Sequence, residues 1–267
     1  MSSHTGRPER EPLGSLAGLA RTSWSPWPLP EVLESTPSTM ADVERRAAEG
    51  APEGTAVVAE EQTAGRGRRG RSWDSPARAG LWWSVLLRPP LPPERLGWLP
   101  LVVGIGVARG LRQAAGVEVR LKWPNDVLLD GRKLAGILAE RLGDGGVIVG
   151  VGINVDQGAS ELPDGGISLA GAGAVAPAGL SRTRVLMDVL AAVADAYRQW
   201  LQGEDMRQEY VGLSATIGEE VAADLGGSVL AGRATGLGVS GELLIVDDAG
   251  TEHQVSAGDV TLRRMPR

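Results

Sequence analysis

Residues 117–154 read VEVRLKWPNDVLLDGRKLAGILAERLGDGGVIVGVGIN, and the fold follows from how often this stretch turns back on itself. Val117–Leu121 and Val127–Leu129 are short apolar runs on either side of Lys122-Trp123-Pro124-Asn125-Asp126. Asp130-Gly131 is a two-residue hairpin signal, because both residues tolerate positive φ. Lys133–Arg141 is then the returning strand, and Asp144–Gly146 turns the chain into Val147–Asn154. Strands joined by tight turns pair antiparallel, so the sheet is predicted to be mixed and largely antiparallel, in an α+β layer rather than a doubly wound one.

Working outward, helices are predicted over Thr39–Glu49, with Ser38 or Thr39 as N-cap, over about Glu94–Ala115, over Ser181–Gln202 and over Glu204–Gly212. Thr55–Glu61 and Leu81–Leu87 read as strands flanking a Gly/Arg loop, 62–78. Gly104, Gly106 and Gly110 point to close helix packing. Leu186, Leu190, Val193, Tyr197 and Trp200 fall on one helical face. After Leu213 the texture changes to short strands, Glu219–Asp224, Val229–Gly236, Glu242–Asp247 and Glu252–Ser256, which read as a small β-barrel. The domain reading is a disordered Pro/Ser/Gly arm over 1–30, a main domain over 31–212 and a small domain over 213–267.

Composition excludes several chemistries. There is no cysteine, and the two histidines, His4 and His253, fall in the arm and in a surface hairpin, so thiolate and Ser–His–Asp mechanisms are excluded. A net charge of −6 gives no global field for DNA or anionic membrane, and no apolar run is long enough to span one. A cytoplasmic location is expected. Of 27 basic residues only Lys122 and Lys133 are lysines, both inside unusual motifs, where a compact ammonium rather than a planar guanidinium is the simplest reason for their survival.

Three segments carry candidate chemistry. Gly65-Arg66-Gly67-Arg68-Arg69-Gly70-Arg71 combines glycines that let a ligand approach with guanidinium donors for phosphate or carboxylate. It matches G-x-G-x-x-G, but Ser72-Trp73-Asp74-Ser75-Pro76 follows where a dinucleotide-binding helix would start, so that fold is rejected. Taken alone, the run is as readily a solvated loop. In the Lys-Trp-Pro-Asn-Asp box a turn explains only Pro124-Asn125-Asp126; the hairpin brings Lys133 near Asp126. Gly150 and Gly152 alternate in a strand, so something packs flat on that face, a planar base or a helix, and Asn154 can read a purine edge.

Taken together with Ala59-Glu60-Glu61-Gln62-Thr63-Ala64 and Arg132-Lys133-Leu134-Ala135-Gly136-Ile137-Leu138, these motifs in this order resemble the biotin protein ligase family, closely over about 33–155. The resemblance implies a class II synthetase-like, biotin/lipoyl ligase catalytic domain followed by an SH3-like barrel, and the monofunctional class without a DNA-binding domain. It implies that ATP, with Mg²⁺, activates biotin to biotinyl-5'-adenylate, and that biotin then passes to a lysine of a biotin carboxyl carrier protein. No DNA or membrane partner is expected, and both monomer and homodimer stay open. The family's Ser-Thr-Asn corresponds here to Ser38-Thr39-Met40; Ser35-Thr36 lies too far from Gln62.

By this resemblance the biotin contacts are Ser38, Thr39, Met40, Gln62, Arg66, Gly67, Arg68, Lys133 and Gly136. The ATP contacts are Arg68, Arg69, Arg71, Trp73, Lys122, Asn125, Gly152 and Asn154, with Trp73 covering the adenine. Arg66, Arg68, Lys122 and Lys133 are assigned to offsetting charge in the reaction, and Asp126 to accepting a proton from the acceptor amine or orienting it. No metal ligands are named. The alternatives are a lipoate–protein ligase and a non-catalytic nucleotide-binding module.

Overall fold

The computed structural model describes residues 10–174, 181–226, 228–256 and 258–262. Seven strands form the main sheet, β1 (Glu31–Leu33), β2 (Ala56–Ala59), β3 (Gly80–Leu87), β4 (Arg120–Lys122), β5 (Asp126–Leu129), β6 (Arg132–Arg141) and β7 (Val147–Asn154), in the order β1-β2-β3-β7-β6-β5-β4. Every pair is antiparallel except β1 with β2. The mixed sheet is therefore as read. Strand β1, only three residues long and largely exposed, leaves too little pattern to predict.

The helices cover the sheet unequally. α2 (Leu99–Ala115) and α3 (Arg182–Leu201) pack on one face and on each other. On the other face lies α1 (Thr39–Ala48), whose Met40, Val43 and Ala47 meet Val57, Leu86 and Ile148. Strand β3 is thus buried at all eight positions. The helix expected from Glu94 begins at Leu99 instead, since Pro93–Trp98 forms a 3-10 segment. α4 (Arg207–Leu213) follows α3.

Glycine sets how closely α2 approaches α3. A Cβ on Gly106 would stand 2.5 Å from the Cα and 2.9 Å from the backbone nitrogen of Val193. Alanine in an open helix gains about 1 kcal/mol over glycine. Here it meets main chain, which cannot rotate away, so Gly106→Ala is expected to destabilise by about 1–3 kcal/mol. A rise in the thermal midpoint of this variant would show that the helices have slack.

Residues 10–30 correct the reading of a disordered arm. Leu16, Leu19 and Trp24 are buried in the main core. Trp24 stacks edge-on against Trp27 at 5.1 Å, and Trp27 packs on Tyr197 of α3 at 5.7 Å. Pro, Ser and Gly signal the absence of regular structure, not of packing, and two tryptophans bury enough apolar surface to hold an irregular chain. Residues 1–9 lie outside the described residues.

The C-terminal sheet has five antiparallel strands, β8 (Glu220–Asp224), β9 (Val229–Leu237), β10 (Leu243–Val246), β11 (Glu252–Val255) and β12 (Asp259–Leu262), in the order β11-β10-β9-β8-β12. Four were legible; β12 was missed because a four-residue strand with only two aliphatic positions carries little signal. Among the described residues no helix is long and apolar enough to cross a membrane.

Candidate active site

Helix α1 stops short of covering its face of the sheet, and the uncovered part is floored by glycine. Gly136 and Gly152 oppose one another across the β6–β7 ladder, and Gly150 lies next along the same face of β7. A Cβ on Gly152 would be 2.5 Å from Trp73 Nε1, one on Gly136 2.8 Å from the Trp73 ring, and one on Gly150 2.8 Å from Met40 Sδ. What packs on these glycines is therefore the Trp73 indole over Gly136 and Gly152 and, over Gly150, the Met40 thioether of helix α1.

Around this floor is a cavity of about 370 Å³, in the range usual for small-molecule sites. Ser38, Thr39 and Met40 reach it from the start of α1, and Gln62, Arg66, Gly67, Arg68, Arg71 and Trp73 from the loop after β2. Lys133 and Gly136 come from β6, Gly152 and Asn154 from β7, and Asn125 from the β4–β5 turn. The four motifs read from the sequence thus converge on one place. A second cavity, about 470 Å³, lies against the C-terminal sheet and shares Arg68, Asn125, Ile137 and Leu138 with the first.

Polar groups at the α1 end are mostly committed. Gln62 Oε1 accepts from the Thr39 N–H at 2.9 Å and lies 3.1 Å from its hydroxyl; Gln62 Nε2 donates to Ser75 Oγ at 2.9 Å. Gln62 thus ties the loop to the helix, and the Thr39 amide is already in use. Ser38 Oγ is buried and has no partner among the described residues.

At the cationic end, Lys133 Nζ lies 2.7 Å from Asp126 Oδ1 and 5.2 Å from the Trp73 ring centroid. The hairpin thus brings this pair together as expected. Tyr210, fully buried, has its hydroxyl pushed above the usual range by burial and then by the Asp126 charge. Arg66 pairs with Glu140 at 3.3 Å, and Arg68 donates to Asn125 Oδ1 at 3.0 Å and to Gly258 O at 3.2 Å.

Three sequence-predicted residues are not among those lining the cavity. Lys122 sits on β4, the outermost strand, in register with Asp126. Arg69 turns to the small sheet, 3.6 Å from Asp224 Oδ2 and donating to Asp224 O at 3.1 Å. Asp126 meets the cavity only through Lys133, so it holds that ammonium rather than facing a ligand. Trp123, unexplained by turn formation, is a clamp: its N–H donates to Thr216 Oγ1 and its indole to Gly241 O, both at 3.0 Å.

The sequence reading also missed Ser84, Gln157, Glu161 and Asp164 in the wall. Ser84 hides in an apolar strand. The others lie in the Gly/Ala loop after β7, where no period signals direction; three polar residues close to Asn154 were the available clue.

Two family models match the chain, Biotin/lipoate A/B protein ligase family over residues 31–157 and Biotin protein ligase C terminal domain over residues 216–263. The chain is 40% identical to the Biotin--[acetyl-CoA-carboxylase] ligase of Mycobacterium tuberculosis, over 88% of this chain and 90% of that one. The chain belongs to the biotin protein ligase family. A second relative, the bifunctional ligase/repressor BirA of Bacillus subtilis, is 34% identical over 85% of this chain and 71% of its own length. The biotin protein ligase from Aquifex aeolicus, solved in complex with biotin and ATP, superposes with a TM-score of 0.75 at 33% identity, covering 88% of this chain and 99% of that one. The first of these models spans β1 to Gln157 and the second the five-stranded sheet, consistent with its SH3-like reading.

Proposed function

We propose that this protein is a biotin–protein ligase that forms biotinyl-5'-adenylate from biotin and ATP and transfers biotin to a lysine of a biotin carboxyl carrier protein. The observation that carries this reading is the convergence of four separate segments on one cavity that is apolar over its glycine floor and cationic at its loop side. An apolar bicyclic ring with a carboxylate tail suits the first part, and phosphates suit the second.

In the first step a biotin carboxylate oxygen bonds to the α-phosphorus of ATP, and the bond to the bridging oxygen breaks as pyrophosphate leaves. Bringing two anions together is the barrier that Arg66, Arg68, Arg71 and Lys133 offset from the cavity wall. In the second step the carrier's lysine nitrogen bonds to the acyl carbon, AMP leaves, and the amine loses a proton. The adenylate is already activated, so no enzyme nucleophile is required. Asp126 acts by orienting Lys133.

Among the described residues no three His, Asp or Glu converge on one metal position. That fits Mg²⁺ entering with ATP, since Mg²⁺ commonly takes phosphate oxygens and one or two carboxylates. The wall carboxylates are Asp74, Glu161 and Asp164, and since Glu161 is paired with Arg10, Asp74 and Asp164 are the two that would supply them. Bound there, the ion would screen phosphate charge.

The test is pyrophosphate release from ATP and Mg²⁺, with biotin or lipoate, and mass-spectrometric detection of the adenylate. Release with lipoate and not with biotin would overturn the reading.

Met40 replaces the family's asparagine, and its thioether lies against Gly150 in the floor. One hydrogen bond to biotin, worth about 0.5–1.5 kcal/mol net, is thereby absent, while the unpaired Ser38 hydroxyl stands beside it. Met40→Asn is expected to change biotin affinity by less than about fivefold, or roughly 1 kcal/mol. A gain of about fiftyfold in calorimetry would instead show an uncompensated loss.

A further inference from the structure

One wall of the cavity is the loop after β7, residues 155–167, and part of what holds it lies far away in sequence. Apart from the 3-10 turn Ala159–Glu161 the loop is irregular. Gln157, Glu161, Leu162, Pro163, Asp164 and Gly166 line the cavity. The same loop grips the lysine of the site. Lys133 N–H donates to Gly165 O and Ile167 N–H donates to Lys133 O, both at 2.9 Å. An irregular wall of this kind opens locally at low cost unless something outside it ties it down.

Arg10 is such a tie. Its Nη2 donates to Asp156 O at 2.9 Å and to Glu161 Oε2 at 2.6 Å, and its Nε donates to Asp156 Oδ2 at 3.3 Å. One guanidinium thus spans the loop from Asp156 to Glu161. Glu161 Oε2 also accepts from Gly158 N–H at 2.8 Å, so the carboxylate that closes the turn is the one that Arg10 holds. The arginine side chain is 17% exposed, which sets these contacts apart from solvent-bathed surface pairs. Its planar fork serves several acceptors in fixed directions, a task that a lysine ammonium matches poorly.

The backbone behind Arg10 is anchored as well. Arg182 Nη2 donates to Glu11 O at 2.6 Å, Leu13 N–H to Glu60 Oε1, and Gly14 N–H to Thr183 Oγ1 at 2.8 Å. The guanidinium therefore holds the loop against α3 and the end of β2, not against a loose tail.

We propose that Arg10 is a positioning residue for the active site: through Asp156 and Glu161 it keeps loop 155–167 in the arrangement that receives ligand. The N-terminal segment thereby completes the cavity wall without touching the ligand. This rests on the ligase reading above. A wall that is competent only part of the time lowers apparent affinity by that fraction. The saturated complex is ordered by its ligand and turns over as before. Loss of the brace therefore shows in KM and not in kcat.

The experiment measures KM for ATP and kcat in biotin-dependent pyrophosphate release, and hydrogen exchange over 155–167 in the ligand-free protein. Arg10→Ala is expected to raise KM about tenfold, to speed exchange about tenfold and to leave kcat within about twofold, as for a wall competent about a tenth of the time. Arg10→Lys keeps the charge but loses the fork, and a rise of about threefold is expected. Arg198→Ala is the control. It releases the same N-terminal segment at Ser25 O and at the Trp27 ring, away from the loop, and should leave KM unchanged. An equal rise in the control would reduce Arg10 to general packing and overturn the proposal. A fall in kcat at unchanged KM overturns it too, as does wild-type exchange over 155–167 in Arg10→Ala. Should the alanine variant fail to fold, Arg10→Lys decides, and wild-type KM and exchange in it overturn the proposal. Without biotin-dependent turnover in the wild type the ligase reading falls, and the exchange rates then decide the brace.

Discussion

Lys133→Ala is expected to slow biotinyl-adenylate formation by about 10²–10³, the usual effect of deleting one preorganised charge contact. The lysine is well fixed for that role. Its backbone N–H donates to Gly165 O and its carbonyl accepts from Ile167 N–H, both at 2.9 Å. Its ammonium is held 2.7 Å from Asp126 and stands over the Trp73 ring. With the position of Nζ set before ligand binds, little reorganisation is left for the reaction. Lys133→Arg keeps the charge but spreads it over a planar fork, so a smaller loss is expected. Single-turnover formation of the adenylate measures both, and an unchanged thermal midpoint shows that the fold survives. Near-normal turnover in the alanine variant would remove Lys133 from the mechanism.

The largest expected effect on stability lies behind the sheet. Glu60 is 2% exposed and Arg182 9% exposed by side chain, with Oε2 and Nη1 2.8 Å apart. The contact is an ion pair without hydrogen-bond alignment, since Oε2 makes no such bond. The pair also anchors the N-terminal segment: the Leu13 N–H donates to Glu60 Oε1, and Arg182 Nη2 donates to Glu11 O at 2.6 Å. Removing either charge leaves the other buried and uncompensated, so Glu60→Ala and Arg182→Ala are each expected to cost about 3–5 kcal/mol. Replacing both by apolar residues, Glu60→Leu with Arg182→Met, should recover much of this, because the intact pair gains little over a well-packed apolar contact. Urea unfolding of the single and double variants measures the coupling. Single variants that unfold at the wild-type midpoint would mean that water already reaches the pair.

The N-terminal segment shows where composition misleads. Nothing periodic distinguishes residues 10–30 from a disordered arm, and their order comes from contacts made far along the chain, such as Trp27 on Tyr197 and Arg10 on Glu161. The loop after β7 is a similar case. Gln157 carries no local signal, and its place in the wall appears only when Asn154, Ser168 and the cavity are set around it.

The order of the main elements, the antiparallel hairpins over 117–154, four of the small C-terminal strands and the four segments that meet at the cavity are all legible along the chain. These are local properties: turn residues, alternating apolar positions and glycine are read over a few neighbours. Long-range packing set which face each motif residue presents. It turned Arg69 toward Asp224, made Trp123 a clamp between the two sheets, set Lys122 on the outer strand, and laid Trp73 and Met40 on the glycine floor. A side chain's role depends on the groups that reach it from elsewhere in the chain, and hydrogen-bond capacity is finite. Gln62 and Asn154 both line the cavity, and their amides are oriented there by Thr39 and Ser75 for the first and by Lys133, Ile167 and Gln157 for the second.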